Sequence, residues 1–174
     1  MMELATSPAR ELDEEELVRR AQLGSTAAFD QLVLSRGPDL YRFLVVRLRN
    51  ESDARDALQE TLADAWRGLA GLRQREKFWP WLLRIAARKA GTLASRRRES
   101  VVFDVELLPS TDDERVVEIR DALDRLPTKF REILVLRYAL QFSEAEAAEL
   151  LGVRVGTVKS RSARARTALM EQLS

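Results

Sequence analysis

The sequence predicts an all-α protein of two small helical domains joined by a flexible acidic linker, the second domain ending in a helix-turn-helix. Three observations carry that prediction. Apolar residues recur at helical spacing through most of the 174 residues, with no convincing run of β alternation. Capping boxes open helices at Thr111, with Glu114 three residues on, and at Ser143, with Glu146. Residues 99–110 carry Pro109 and no sustained periodicity, so the chain divides there into a domain at 1–98, a linker, and a domain at 111–174.

In order along the chain, residues 1–12 are expected to be loose and Glu14–Leu23 to form a short helix. A second helix runs from Ala27 to about Ser35, where Gly37-Pro38 is expected to break it. Pro38 suits the first turn of the next helix, which reaches Leu48 and stops near Asn50. Ser52 is the expected cap of the one after. There Leu58, Leu62, Ala65, Trp66 and Leu69 make a core-facing stripe, and Asp56, Gln59 and Glu60 stand polar on the other side. A long helix from about Lys77 to Arg97 completes the first domain. In the second, Pro127 punctuates, and a helix from Thr128 to Ala139 presents Phe130, Ile133, Leu134 and Leu136 inward.

The final helices are the most specific. Ser143 starts a helix whose Ala147, Ala148 and Leu151 allow close approach, and Gly152 supplies a left-handed C-cap. Val153 packs under the turn. The next helix buries Val158, Ser162, Ala165 and Leu169 and leaves Thr157, Ser160, Arg161 and Arg164 outside. Lys159 and Arg166 flank that face and Arg154 precedes it. Small, glycine and branched residues in this order are what a steeply crossing helix pair needs. An αα-hairpin on a bundle surface is the plainer alternative, weakened by the five basic residues and no acid between Val153 and Thr167.

Composition narrows the chemistry. There is no Cys and no His, which removes disulfides, thiol and imidazole chemistry and nearly all zinc or haem sites. No cofactor or metal is expected, and an enzyme is disfavoured. Nor does any apolar run approach the roughly 20 residues of a membrane span, and the N-terminus lacks a signal pattern, so membrane insertion is not expected and a cytoplasmic location is.

A net charge of +1 conceals segregation. From Arg67 to Arg98 ten Lys/Arg face one acid, and from Glu99 to Leu126 nine acids face three Arg. Two positive blocks separated by a negative one suggest two polyanion-binding surfaces. The first block mixes Arg73, Lys77, Arg84, Arg88 and Lys89 with Phe78, Trp79 and Trp81, a combination suited to unpaired nucleic acid. Phe78, Leu82 and Ile85 look buried; of the two tryptophans, Trp79, beside Pro80, is the expected exposed ring.

From about Leu17 to Leu173 the chain resembles bacterial RNA polymerase sigma factors of the extracytoplasmic-function group. The resemblance rests on Asp53-Ala-Arg-Asp-Ala-Leu-Gln-Glu-Thr61 with Ala65-Trp66, and on Phe78-Trp-Pro-Trp-Leu-Leu-Arg-Ile-Ala86. Leu126-Pro127 with Arg131-Glu-Ile-Leu-Val-Leu-Arg-Tyr138 and Gly156-Thr-Val-Lys-Ser-Arg161 with Arg164-Ala-Arg166 complete it. It implies a region 2 domain that binds core polymerase and the melted −10 element, and a region 4 domain that reads the −35 element. Asp56, Gln59, Glu60 and Thr61 fall where that family grips the β′ clamp. The β flap, promoter DNA and an anti-sigma factor are the other implied partners, and the loop Gly68–Glu76 resembles one that pockets a flipped −10 base. Where the family usually carries an asparagine and an aspartate in the −10-reading helix, this chain has Arg88 and Thr92. Ser162 replaces an expected buried leucine. A stand-alone helix-turn-helix regulator, binding duplex as a symmetric dimer, and a sigma-like interaction module without promoter reading are the competing functions.

Overall fold

The structure, a computed structural model, describes residues 13–96 and 114–173. The expected loose stretch 1–12, the linker 99–110 and the Thr111 cap lie outside the described residues. Among the described residues every regular element is helical. In chain order these are α1 (Glu14–Gln22), α2 (Thr26–Leu48), α3 (Glu51–Gly68), α4 (Phe78–Arg96), α5 (Glu114–Arg125), α6 (Thr128–Leu134), α7 (Glu144–Leu151) and α8 (Val155–Gln172). Two single 3₁₀ turns, Leu69–Gly71 and Arg75–Lys77, link α3 to α4.

Helix α1 places Glu14, Glu15 and Glu16 in its first turn and Arg19 and Arg20 in its last, the order the helix dipole favours. Glu16 accepts from Arg19 at 2.7 Å and Arg20 at 2.8 Å, and these bonds hold its carboxyl at about 2. Gly24, at φ 93°, turns the chain, and Ser25 caps α2 by accepting from the Ala28 amide.

Three expectations change in the next stretch. Helix α2 runs unbroken through Gly37-Pro38. A proline inside a helix costs about 3 kcal/mol. Leu32, Leu40, Phe43 and Leu44 on either side are all at most 1% exposed, each stabilising by about 1.5–3 kcal/mol. Burial wins, and the helix stays continuous. The cap of α3 is Asn50 rather than Ser52: Arg49 in the left-handed region (φ 53°) turns the chain, and Asn50 Oδ1 accepts from the Asp53 amide at 2.9 Å. The buried side of α3 is also rotated from the expected stripe. It consists of Ala54, Ala57, Thr61 and Ala65; of the expected stripe Ala65 and Leu69 are buried, Leu58 and Leu62 are half-buried against the core, and Trp66 is exposed against Phe29. Small residues let α3 approach α2 and α4 closely.

Helix α2 is the hub of the first unit, packed by α1, α3 and α4; α8 is the hub of the second, packed by α5, α6 and α7. Helix α6 continues as one π turn, Val135–Ala139, so the expected extent to Ala139 holds. Arg131, 2% exposed, donates to Asp124 Oδ1 at 2.8 Å and to the Leu126 carbonyl at 3.1 Å, tying the end of α5 to α6. The two units do not sit apart. Helix α6 lies on α2 and α7 on α4, and one apolar cluster runs from Leu17 to Ala165. At the join Trp79 faces Phe142 with ring centroids 6.4 Å apart, and the Arg36 guanidinium lies 5.3 Å from the Trp79 ring. Trp79, the expected exposed ring, is therefore 8% exposed.

Candidate nucleic-acid interface

The C-terminal face forms as its local signals require. Ser143 Oγ accepts from the Glu146 amide at 3.2 Å, and the Glu146 carboxylate accepts from the Ser143 amide at 2.8 Å. The bonds from Ser143 hold the Glu146 carboxyl below the usual glutamate value. Gly152, at φ 65°, ends α7, and the Val153 amide reaches back to the Ala148 carbonyl at 3.0 Å. Helix α8 then buries Val158, Ser162 and Ala165, with Leu169 half-buried, which is the expected inward stripe. No protein group bonds the Ser162 hydroxyl. Arg154, Lys159, Ser160 and Arg164 are exposed, and Thr157 and Arg161 half-buried, along the first turns of α8. These short donors and arginines converge at a helix N-terminus, where phosphates and base edges are both within their chemistry.

The second face is a groove of 640 Å³ between α4 and the turns that precede it. Trp81 and Ile85 floor it, and Arg73, Lys77, Arg84 and Arg88 line it together with Gln74. Positions 81, 84, 85 and 88 share one side of α4 by helical geometry. Trp81 is wedged against Phe78, centroids 6.1 Å apart, with Gly68 beside its outer edge. A held aromatic surface ringed by cations offers stacking to an unpaired base and charge to its phosphates. The aromatic of the groove is thus Trp81, not Trp79. The missed signal was phase: Trp81, unlike Trp79, lies in register with Arg84 and Arg88.

Lys89 is a further correction. Its ammonium points to α3, 3.1 Å from Glu60 and 2.8 Å from Asp64, outside the groove. The bond to Asp64 raises the Lys89 pKa and lowers that of Asp64. Thr61, which the resemblance put in the clamp-gripping segment, is fully buried with its hydroxyl unbonded by protein. Asp56, Gln59 and Glu60 are exposed on α3 as expected.

The acids of α7 stand at the mouth of the groove. Glu149 accepts from Arg84 at 2.6 Å, and Lys77 is near enough to Glu146 to favour its charged form. On the other side of the join, Arg47 of α2 bonds Glu132 of α6 at 3.1 Å, and Arg161 of α8 adds to the positive field there. Among the described residues no cluster of acids is arranged to hold a metal ion, and no helix is long and apolar enough to cross a membrane.

Comparison with known proteins places both faces. The family described as Sigma-70 region 2 matches residues 32–99, and Sigma-70, region 4 matches residues 117–169. The ECF RNA polymerase sigma factor SigM of Mycobacterium tuberculosis (strain H37Rv) is 33% identical over 168 residues, which cover 94% of this chain and 86% of that protein. The chain belongs to the extracytoplasmic-function group of the sigma-70 family. The sigma-H factor of Pseudomonas aeruginosa is 30% identical over 92% of this chain and 93% of its own. Among solved structures, CnrH in complex with the cytosolic domain of CnrY is similar with TM-score 0.67 at 30% identity, over 92% of this chain and 96% of that one. The sigma factor RpoE in complex with the anti-sigma factor NepR, from Bartonella quintana, gives TM-score 0.67 at 28% identity, over 83% and 96%. The groove and the polar side of α3 thus lie in region 2 and the helix-turn-helix in region 4; α1 precedes the matched residues.

Proposed function

We propose that this sigma factor binds core RNA polymerase and directs initiation at promoters, reading the −35 element with α8 and holding the melted −10 strand in the Trp81 groove. One observation carries the reading: a cation-lined groove floored by an aromatic ring and a helix-turn-helix with basic first turns occupy one chain. Arg154, Thr157, Lys159, Ser160, Arg161 and Arg164 serve the duplex. Arg73, Lys77, Trp81, Arg84 and Arg88 serve the unpaired strand. Asp56, Gln59 and Glu60 meet the β′ clamp. An apolar cleft of 440 Å³ between α5, α6 and α8, lined by Leu123, Leu134, Val135 and Leu169 with Arg166 at its rim, suits an apolar helix such as the β flap offers. The protein supplies recognition rather than catalysis and works in the cytoplasm beside the polymerase. An anti-sigma factor is the expected antagonist, since both structural relatives were solved bound to a second protein.

The packed arrangement has a consequence for this function. The two elements lie about 25 base pairs apart, on the order of 80 Å at about 3.4 Å per base pair. With Glu149 of α7 bonded to Arg84 of α4, the two readers are adjacent. Both cannot engage at once until the units part, and parting also frees Arg84 for the strand.

The test is transcription in vitro with purified core polymerase on pooled genomic fragments of the source bacterium, followed by sequencing of transcript ends. Starts that cluster behind a shared pair of elements are expected. Output identical to core polymerase alone rejects the function.

A further inference from the structure

We propose that Gln22 is a positioning residue for −10 strand capture: it fixes the wall of the groove that faces Trp81. The proposal rests on the groove reading above. Gln22 is the last residue of α1 and stands outside the residues matched by the region 2 family. Its amide nitrogen donates to the Leu69 carbonyl at 3.0 Å and to the Leu72 carbonyl at 2.8 Å. Its amide oxygen accepts from Arg75 Nε at 2.8 Å. Both donors and the acceptor are used with unambiguous polarity, so the carboxamide has one orientation and no other side chain of its length reproduces it.

The partners bracket the connection from α3 to α4. Leu69 begins the first 3₁₀ turn and Leu72 follows it in extended conformation (φ −74°, ψ 105°). Arg75 begins the second turn. Between these anchors lie Arg73 and Gln74, which line the groove and are themselves exposed. The connection's own backbone holds it weakly, with Leu72 to Leu69 at 3.0 Å and Lys77 to Gln74 at 3.1 Å. Ala70, Gly71 and the whole run Arg73–Lys77 are exposed, so packing anchors little besides Leu69 and the half-buried Leu72. A single side chain from about 50 positions upstream thus decides how far the Arg73–Gln74 wall stands from the Trp81 ring. A base held between a ring and a wall is discriminated only when that gap is fixed.

The experiment uses the full chain assembled with core polymerase and short single-stranded dT probes, unsubstituted or carrying one central dA, dC or dG. The wild-type complex is expected to bind the four with unequal affinity. Gln22→Leu is expected to weaken the best probe about tenfold, the scale of lost part-buried hydrogen bonds. It should also narrow the spread among the four while leaving core affinity intact, and hydrogen exchange at Leu72 and Arg73 should accelerate. Gln22→Glu keeps the length and the acceptor but turns a carboxylate toward two carbonyls, so it should fail as Gln22→Leu does. Wild-type discrimination by Gln22→Leu overturns the proposal. So does an equal loss for all four probes accompanied by a lowered melting temperature, which marks a structural role only. Arg88→Ala separates the two levels. If it leaves every probe unaffected, the groove is not the strand site and both readings fall. If it weakens binding and Gln22→Leu does not, the role of Gln22 alone is rejected.

Discussion

The helix-turn-helix and the Trp81 groove, the two proposed nucleic-acid faces, are made in different ways. The first is assembled from neighbours in sequence: the Ser143–Glu146 box, the left-handed Gly152 and the Val158–Ala165 stripe lie within 23 residues. The second is assembled from distant parts: α4 gives the floor, the two 3₁₀ turns the wall, α1 the clamp, and α7 a carboxylate at the mouth. A locally encoded site survives when the rest of the molecule rearranges. A site encoded by assembly can be opened and closed. Under the proposed function the two readers must part to reach their elements, and an open helix-turn-helix face beside a guarded groove suits that difference.

Breaking the join tests the contrast most severely. Trp79→Ala removes a ring packed on Phe142 and under Arg36, and core truncations of this size cost about 3–5 kcal/mol. Thermal melting followed by circular dichroism is expected to show a lower midpoint with separated transitions for the two units. A single transition at the wild-type temperature would mean that the units do not support each other.

On the local side, Arg161→Ala is expected to cost about 1–3 kcal/mol at one position of the −35 element and to relax specificity there. Competition among duplex variants against the polymerase complex measures it. Equal weakening of every sequence would make Arg161 a phosphate contact. Smaller still is the effect of Ser162, a buried hydroxyl that no protein group bonds. Ser162→Ala removes its desolvation penalty and should stabilise the C-terminal unit by about 1 kcal/mol. Urea unfolding of the full chain reports it, and a loss of stability would reveal a bonding partner for the hydroxyl.

The contrast also accounts for what the sequence disclosed. The α7 cap, the Gly152 turn and the inward stripe of α8 depend on residues three to seven apart, and each stands where its spacing puts it. Errors gathered where tertiary packing overrides local preference. Pro38 stays inside a helix because burial on both sides outweighs its penalty. Trp79 is covered by Phe142, 63 positions away, and no local pattern around Trp79-Pro80 announces that. Thr61 lies on the buried side because α3 packs through its alanines, whereas bulk alone favoured the leucine stripe. Lys89 is different: one residue past Arg88 turns the side chain about 100° around the helix, so phase alone separates it from the groove.

Glu132 offers the finest adjustment of the join. Burial raises its pKa, and the nearby Arg47 and Arg161 offset only part of that. The folded state therefore binds the proton more readily than the unfolded chain, and stability falls as pH rises from the ordinary glutamate value, 4.5, through the raised one. Asp64 and Glu146 have lowered values and act with the opposite sign, their contributions fading as pH falls. Whole-molecule profiles mix the two, so the informative quantity is the difference in melting temperature between Glu132→Gln and wild type. That difference should move in favour of the variant as pH rises above 4.5. A constant offset would show that Glu132 stays as easily ionised as in the unfolded chain, and that the Arg47–Glu132 pair holds α6 against α2 without sensing pH.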